Sequence, residues 1–403
     1  MSQSRIIGAV DIGASSVTVL VGDIVNGRSL NIIGKQDATS AGVKKGEIID
    51  FKAVSNATHA AIMGAEKSAG TQVEGIFLSQ TGNHLEGFFN SGAVNVTSSD
   101  NRVSQGDINR VTTEAKSKKL AADRLYIHHI RNHFMLDGRQ VGDPLGMEGE
   151  KLDVGYWSVH GDERKVRDHI HVINGFGLNV EDIILSSIAS GTVIANDEEK
   201  RAGVLVIDLG AGATDWAIYQ NGVVRRTGVL PVGSDHITND LALGLRVNRK
   251  YAEKLKMTFG KATLDSEDMQ EKVWMVGDQM IGDRRIPKQA LIQIIRERVE
   301  ETFELVKKQV GEGCSPKELP AGVIITGGGA RLENVDLAAE KVLGVPARHG
   351  ELPEWVHPNL HQPEYVTALG LLHFALSGQS LDDNQTQRRE RGLLRRVSHL
   401  FGV

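Results

Sequence analysis

The stretch AGVLVIDLGAGATDWAIYQNG, residues 202–222, runs apolar, stops on Asp208, turns through Gly210 and Gly212, and runs apolar again to an Asn-Gly pair. Val204, Leu205, Val206 and Ile207 suit a strand covered on both faces, which is poor company for a charge unless the strand stops there. Asp208 is therefore expected at a strand's exposed carboxyl end. The same order occurs in RIIGAVDIGASSVTVLVGDIVNG, residues 5–27: Asp11-Ile12-Gly13-Ala14 mirrors Asp208-Leu209-Gly210-Ala211, and Asn26-Gly27 mirrors Asn221-Gly222. The chain reads as internally duplicated.

Glycines in a tight turn let backbone amides approach an anion, and successive N–H groups form an anion-binding nest. Two such turns facing each other would cradle phosphates from both sides. Asp11 and Asp208 at their bases would then supply oxygens to a phosphate-bound Mg²⁺, directly or through its waters. Either hairpin alone is accounted for as an ordinary turn, where Asp and Gly are common; the recurrence favours the anion site. A third glycine turn, in VIITGGGARLEN, follows a strand and precedes a helix start. No GxxxxGK[ST] occurs, and no GxGxxG opens a βαβ unit, which argues against the P-loop and Rossmann solutions. His128, His129 and His133 lie in an expected strand without paired Cys or carboxylate spacing and are read as surface or core residues.

Around these turns the pattern predicts a helix at about 52–69, a strand GIFLSQTG, and a polar, charge-rich α+β insertion at about 84–165. Residues 165–195 read as helix, turn at Gly175 to Gly177, and second helix; residues 235–260 and 289–310 read as helical, the latter with Ile292, Ile295, Val299, Phe303, Val306 and Val310 on one buried face. A further helix carries EYVTALGLLHFAL, and the chain from Ser377 onward lacks apolar period.

The 403 residues predict about two to four domains, and the 40 % apolar, 24 % charged composition is that of a soluble globular protein. A net charge of -5 with scattered basic residues gives no reason to expect nucleic acid. The single Cys314 excludes an internal disulfide framework, the start MSQSRIIGAV has no signal pattern, and no apolar window approaches a membrane span, so cytoplasm is the expected compartment. The exception to the scattered charge is the tail RRERGLLRRVSHLFGV, with five arginines against one glutamate. On a helical wheel Leu393, Val397, Leu400 and Phe401 gather on one side with Leu394 at its edge, opposite Arg391 and Arg395. With Arg388, Arg389 and Arg396 beside it, this reads as an interfacial helix for anionic lipid, too short to span.

In order, DIGASSVTVLVG, DLGAGATDWAIY and ITGGGARLEN resemble the two phosphate motifs and the adenosine motif of the actin-like ATPase superfamily. Within it, the chain is similar to the FtsA family of bacterial cell-division proteins from residue 6 onward. The signs are the insertion after LSQTGNH, the run LPVGSDHITNDLALGL, the YVTALGLLHFA helix and the basic tail. The resemblance implies an α/β, actin-like two-lobed ATPase fold with a duplicated core and an inserted 1C subdomain. Subdomain 1A would take residues 1–83, 167–197 and a return helix at 365–376, with 1C at 84–166. Subdomain 2A would take 198–232 and 318–364, 2B would take 233–317, a linker 377–387 and the amphipathic membrane-targeting helix 388–403.

By the same resemblance, ATP and Mg²⁺ are the expected ligands. Asp11 and Asp208 would serve the metal; Gly13, Ala14, Ser15 and Ser16, with Gly210, Ala211, Gly212 and Ala213, would line the phosphates; Gly233, Gly327, Gly328 and Gly329 would meet the nucleotide. Glu253 and Lys256 would meet ribose and base, and Asp182 would position the attacking water. Ala14 and Ser16 stand where the family often has a hydroxyl residue and a lysine, and Ala211 and Ala213 where it has Gly and Thr, which implies firm binding and slow hydrolysis. Expected partners are the FtsZ C-terminal peptide on 2B, further copies of the chain in protofilaments, later division proteins, and the cytoplasmic face of the membrane at the septum. A PilM-like pilus-assembly adaptor and a metabolic kinase of the superfamily are the alternatives; a DnaK-type chaperone lacks a β-rich domain after residue 376.

Overall fold

The computed structural model describes residues 4–275 and 282–377; the linker beyond Ser377 and the basic tail, including Arg391, Leu393, Leu394, Arg395, Arg396, Val397, Leu400 and Phe401, lie outside the described residues. Two five-stranded sheets carry the duplication. In the first, the antiparallel strands Ser4–Ile12, Ser16–Val25 and Ser29–Thr39 continue on the other side of Ser4–Ile12 into the parallel strands Gly75–Gln80 and Val180–Leu185. In the second, Val204–Leu209, Thr214–Gln220 and Val223–Leu230 are antiparallel, and Val323–Thr326 and Ala347–His349 extend the sheet in parallel. Order and sense are the same in both. The Asn-Gly pairs turn as the sequence predicts, with φ of 54° and 64° at Asn26 and Gly27 and of 54° and 80° at Asn221 and Gly222, the left-handed pair that a two-residue hairpin needs.

The strand Val204–Leu209 is buried on both sides, and its alternation divides the molecule. Leu205, Ile207 and Leu209 enter the core of the second lobe with Ile292, Ile295 and Phe303 of the helix Lys288–Val310. Val204 and Val206 face the other way, into the core shared with the first lobe. Between the lobes cross two apolar helices, Ser186–Ile194 and Val366–Ser377. Gly370 makes their crossing close: a Cβ there would stand 1.9 Å from the Ala189 carbonyl oxygen.

The polar insertion forms a sheet of its own, with Glu86–Asn95, Lys151–Asp162, Arg124–Leu136 and Arg139–Val141 in that order and the helix Gln105–Ala115 on it. Val111, Phe134, Leu152 and Tyr156 belong to its small separate core. It is fixed to the second lobe by Trp157, whose Nε1 donates to Thr227 Oγ1 at 3.0 Å in a buried contact.

Two expectations fail. Asp208, expected at a strand's exposed end, is buried inside Val204–Leu209, where hydrogen bonds take the place of solvent. Residues 180–185, read as the start of a helix, form a buried parallel strand beside Gly75–Gln80, and the helix begins only at Ser186. VEDIIL is a short β-branched run that pairing inside the sheet claims before the helix can.

Gly370→Ala tests the crossing. Helix propensity alone favours Ala by about 1 kcal/mol. Contact with the Ala189 backbone should reverse that sign and cost about 2–4 kcal/mol in urea unfolding. A neutral or stabilising result would mean that the helices cross more loosely.

Candidate functional site

Each repeated turn is closed by one backbone bond: Gly13 N–H donates to Ser16 O at 2.9 Å, and Gly210 N–H to Ala213 O at 3.0 Å. A Cβ on Gly13 or Gly210 would meet that same accepting oxygen at 2.9 or 2.8 Å, so glycine is what lets the turn close. The two turns meet tip to tip across the lobes, since a Cβ on Gly212 would stand 2.8 Å from Ala14 Cβ. Ser15 is exposed and its carbonyl accepts from Ser40 N–H, while Ser16 opens the next strand.

Beneath the turns lie three carboxylates. Asp11 accepts a 2.6 Å bond from the Ser79 hydroxyl; burial pushes its carboxyl up to about 6, partly opposed by that bond, with the charge of Asp208 adding to the rise. Asp208, 8 % exposed, points with Val204 and Val206 into the seam. There Ser190 and Thr367, one from each crossing helix, donate to its Oδ2 at 2.7 and 2.9 Å. Burial raises its pKa and those two bonds restrain the rise. The third, Asp215, went unassigned in the sequence. It pairs directly opposite Asp208 in the antiparallel register, is 6 % exposed, and binds the Thr81 hydroxyl through both carboxylate oxygens at 2.7 and 2.8 Å. Burial, then the charge of Asp208 and, behind the opposing Thr81 bond, that of Asp11, push its carboxyl well above the usual carboxylate range. The signal for it was available: a turn that pairs Asp208 with the residue seven positions on must also pair Asp11 with Thr18, as it does.

Asp182 is set back from this group. It lies within the strand Val180–Leu185, level with Phe77, and its Oδ1 accepts from the Ile183 amide; the water-positioning place expected for it belonged to a helix entrance that the fold puts four residues later.

The remaining residues gather on the second lobe. Gly233 precedes the helix Ser234–Leu245, whose first amides, at Ser234 and Asp235, donate to the Gly210 and Ala211 carbonyls at 3.0 and 2.9 Å. Gly327, at φ +84°, leaves room for Asp208, since a Cβ there would stand 2.3 Å from Oδ1; Gly329 packs on Leu209 while Gly328 is exposed. A cavity of ≈ 30 Å³ lies among Leu209, Gly233, Ser234, Phe303, Gly329 and Leu332. Lys256 donates to Ser234 O at 3.3 Å and Thr238 Oγ1 at 2.9 Å, and pairs with Glu253 at 2.8 Å.

Mg²⁺ fits the chemistry of this donor set. Its oxygens are hard and poorly neutralised, and the buried Gln80 Oε1 and Thr326 Oγ1 beside them have no partner among the described residues. Among those residues no three His, Cys, Asp or Glu side chains stand close enough to hold an ion together.

The repeated sheets with acids at their seam define an actin-like fold. Solved structures agree: the PilM-PilN type IV pilus biogenesis complex aligns at a TM-score of 0.62, 16 % identity, over 91 % of this chain and 97 % of that one. MreB5 of Spiroplasma citri bound to ADP aligns at 0.55 and 14 %, over 96 % and 99 %. A family model described as cell division protein FtsA matches residues 205–370, and one described as the SHS2 domain inserted in FtsA matches 82–160. The cell division protein FtsA of Neisseria meningitidis serogroup B is 33 % identical over 401 residues, 97 % of this chain and 96 % of its own length. That of Bacillus subtilis is 31 % identical over 378 residues, 93 % and 84 %. The chain belongs to the FtsA family of cell division proteins.

The raised Asp11 carboxyl sets a pH dependence. A folded pKa of about 6 against 3.8 unfolded contributes stability that is full below about 4 and lost as pH rises through 6, on the order of 3 kcal/mol. Melts of the nucleotide-free protein in EDTA should show this loss between pH 4 and 7, and Asp11→Asn, which keeps an oxygen for Ser79, should lack that share of it. Parallel curves would contradict the assignment.

Proposed function

We propose that the chain binds Mg-ATP between its lobes and uses the bound nucleotide to govern its assembly into filaments that tether the FtsZ ring to the membrane during cell division. The observation that carries the reading is the pair of equivalent glycine turns, tip to tip above Asp11, Asp208 and Asp215. With Gly13 and Gly210 closing the turns, the amides of Ala14 to Ser16 and of Ala211 to Ala213 would hold phosphates; Asp11 and Asp208, joined by Asp215, would hold the waters of Mg²⁺. The ion, when bound, supplies the positive charge that lets three carboxylates ionise side by side. Gly233 and Gly327 to Gly329 would bed the adenosine, with Glu253 and Lys256 toward the ribose and base. MreB5, which shares the fold, is bound to ADP in its solved structure. Without a hydroxyl side chain at Ala14 or Ala213, turnover is expected to be slow, suiting a switch more than a metabolic catalyst.

In this reading the 84–166 insertion contacts the next subunit, the 233–317 region takes the FtsZ C-terminal peptide, and later division proteins join the assembled filament. The 388–403 tail lies on anionic lipid at the cytoplasmic face of the membrane at the septum. Among the described residues no helix is long and apolar enough to cross a membrane. Likeness to the pilus complex rests on the fold alone, and no general base beside an acceptor hydroxyl supports a metabolic kinase.

Asp208→Ala should weaken Mg-ATP binding on the order of 10-fold or more, read by titration with a fluorescent ATP analogue; equal affinity would sink the nucleotide site. For the tail, the full chain should sediment with anionic liposomes while one ending at Leu381 and the Leu400→Glu, Phe401→Glu variant stay in solution, and added salt should release the full chain. Equal pelleting of the shortened chain would place the lipid contact elsewhere.

A further inference from the structure

The first turn carries no cationic side chain, and a lysine from another part of the chain has its backbone beside the place where the two turns meet. Residues Val43–Lys44 and Glu47–Ile48 form a hairpin whose two-residue turn is Lys45-Gly46, at φ 55° and 75°. That turn favours Asn-Gly. Of the seven described non-glycine residues at positive φ, five are Asn or Asp; only Lys45 and Arg246 are neither. A long cation held in a conformation that resists it points to a task for the side chain.

The hairpin is braced against both turns. Ser40 N–H, just before it, donates to Ser15 O at 2.9 Å. Gly46 lies so near Gly82 that a Cβ would stand 2.8 Å from its Cα, and Thr81 beside it holds Asp215. Lys45 itself meets the second turn: a Cβ on Gly212 would be 3.1 Å from the Lys45 amide nitrogen and 2.8 Å from Ala14 Cβ. Its side chain is exposed, with no hydrogen bond or ion pair among the described residues. Gly327 and Gly329, by contrast, pack on Leu209 within the second lobe, so Lys45 stands where the turn tips meet and not at the adenosine end.

We infer that Lys45 is a phosphate-binding residue, its ammonium meeting the outermost phosphate of a nucleoside triphosphate and supplying from the hairpin the cation that Ser16 does not. The inference rests on the nucleotide reading of the site. It gives the strained turn a reason and couples closure of the lobes to a triphosphate over a diphosphate, because Lys45 belongs to the first lobe and touches the second at Gly212.

Lys45→Asn separates charge from structure, since Asn-Gly suits the turn better than Lys-Gly does. Wild type, Lys45→Asn and Lys44→Asn are titrated with Mg-ATP and Mg-ADP, and each is melted without nucleotide. Lys45→Asn should bind Mg-ATP about tenfold more weakly, lose less toward Mg-ADP and melt no lower than wild type, while Lys44→Asn keeps wild-type affinity. Unchanged Mg-ATP affinity in Lys45→Asn would overturn the inference alone. So would an equal loss toward both nucleotides with a lowered melting temperature, which marks a structural role. Absence of binding by wild type would overturn the nucleotide reading as well.

Discussion

The structure turns on the burial of one carboxylate. Asp208 lies one residue from the end of a strand that is covered on both faces, and a charge there is tolerable only if hydrogen-bonded. Its donors, Ser190 and Thr367, are 177 residues apart, on two helices that cross closely at Gly370, and they also bond each other at 2.9 Å. Satisfying Asp208 therefore requires both helices in place, and placing both helices brings the two sheets together. The seam that holds the fold and the seam that gathers the acids are one surface.

Duplication supplied the scaffold, and divergence at one register position gave it polarity. Opposite Asp11 stands Thr18, whose hydroxyl donates to Asp37 at 2.8 Å; Tyr365 donates to the other oxygen of Asp37, and Lys35 to Tyr365. That side of the first lobe is a closed network of neutral and paired groups. Opposite Asp208 stands Asp215, an acid against an acid. The second lobe thus sets acid against acid where the first sets acid against hydroxyl, and its two acids reach the first lobe through Ser190, Thr367 and Thr81. Such a pair of lobes has a reason to respond to a cation.

What the sequence revealed was local or repeated. The strand carrying Asp208, the two glycine turns and the Asn-Gly hairpins were legible because each is fixed by residues a few positions apart, and their recurrence made the duplication plain. Asp215 was passed over because TDWAIY reads as an apolar strand until the turn length is used to find its cross-strand partner. Asp182 was misplaced because VEDIIL was assigned to a helix, and the parallel partner that makes it a strand lies a hundred residues away. The Ser190 and Thr367 hydroxyls carried no sequence signal at all: in a helix a buried Ser or Thr is unremarkable until its neighbour is known.

The central proposal is that Asp11, Asp208 and Asp215, all raised by burial, give up protons to a divalent cation. Asp11, raised to about 6, is partly protonated at pH 6 and must release its proton when a divalent ion arrives. Calorimetric titration of the protein with preformed Mg-ATP at pH 6, in two buffers of different ionisation enthalpy, measures that release directly. The account predicts heats that differ between the buffers in the sense of proton release, with a smaller difference for Asp215→Asn. Binding with the same heat in both buffers would contradict it.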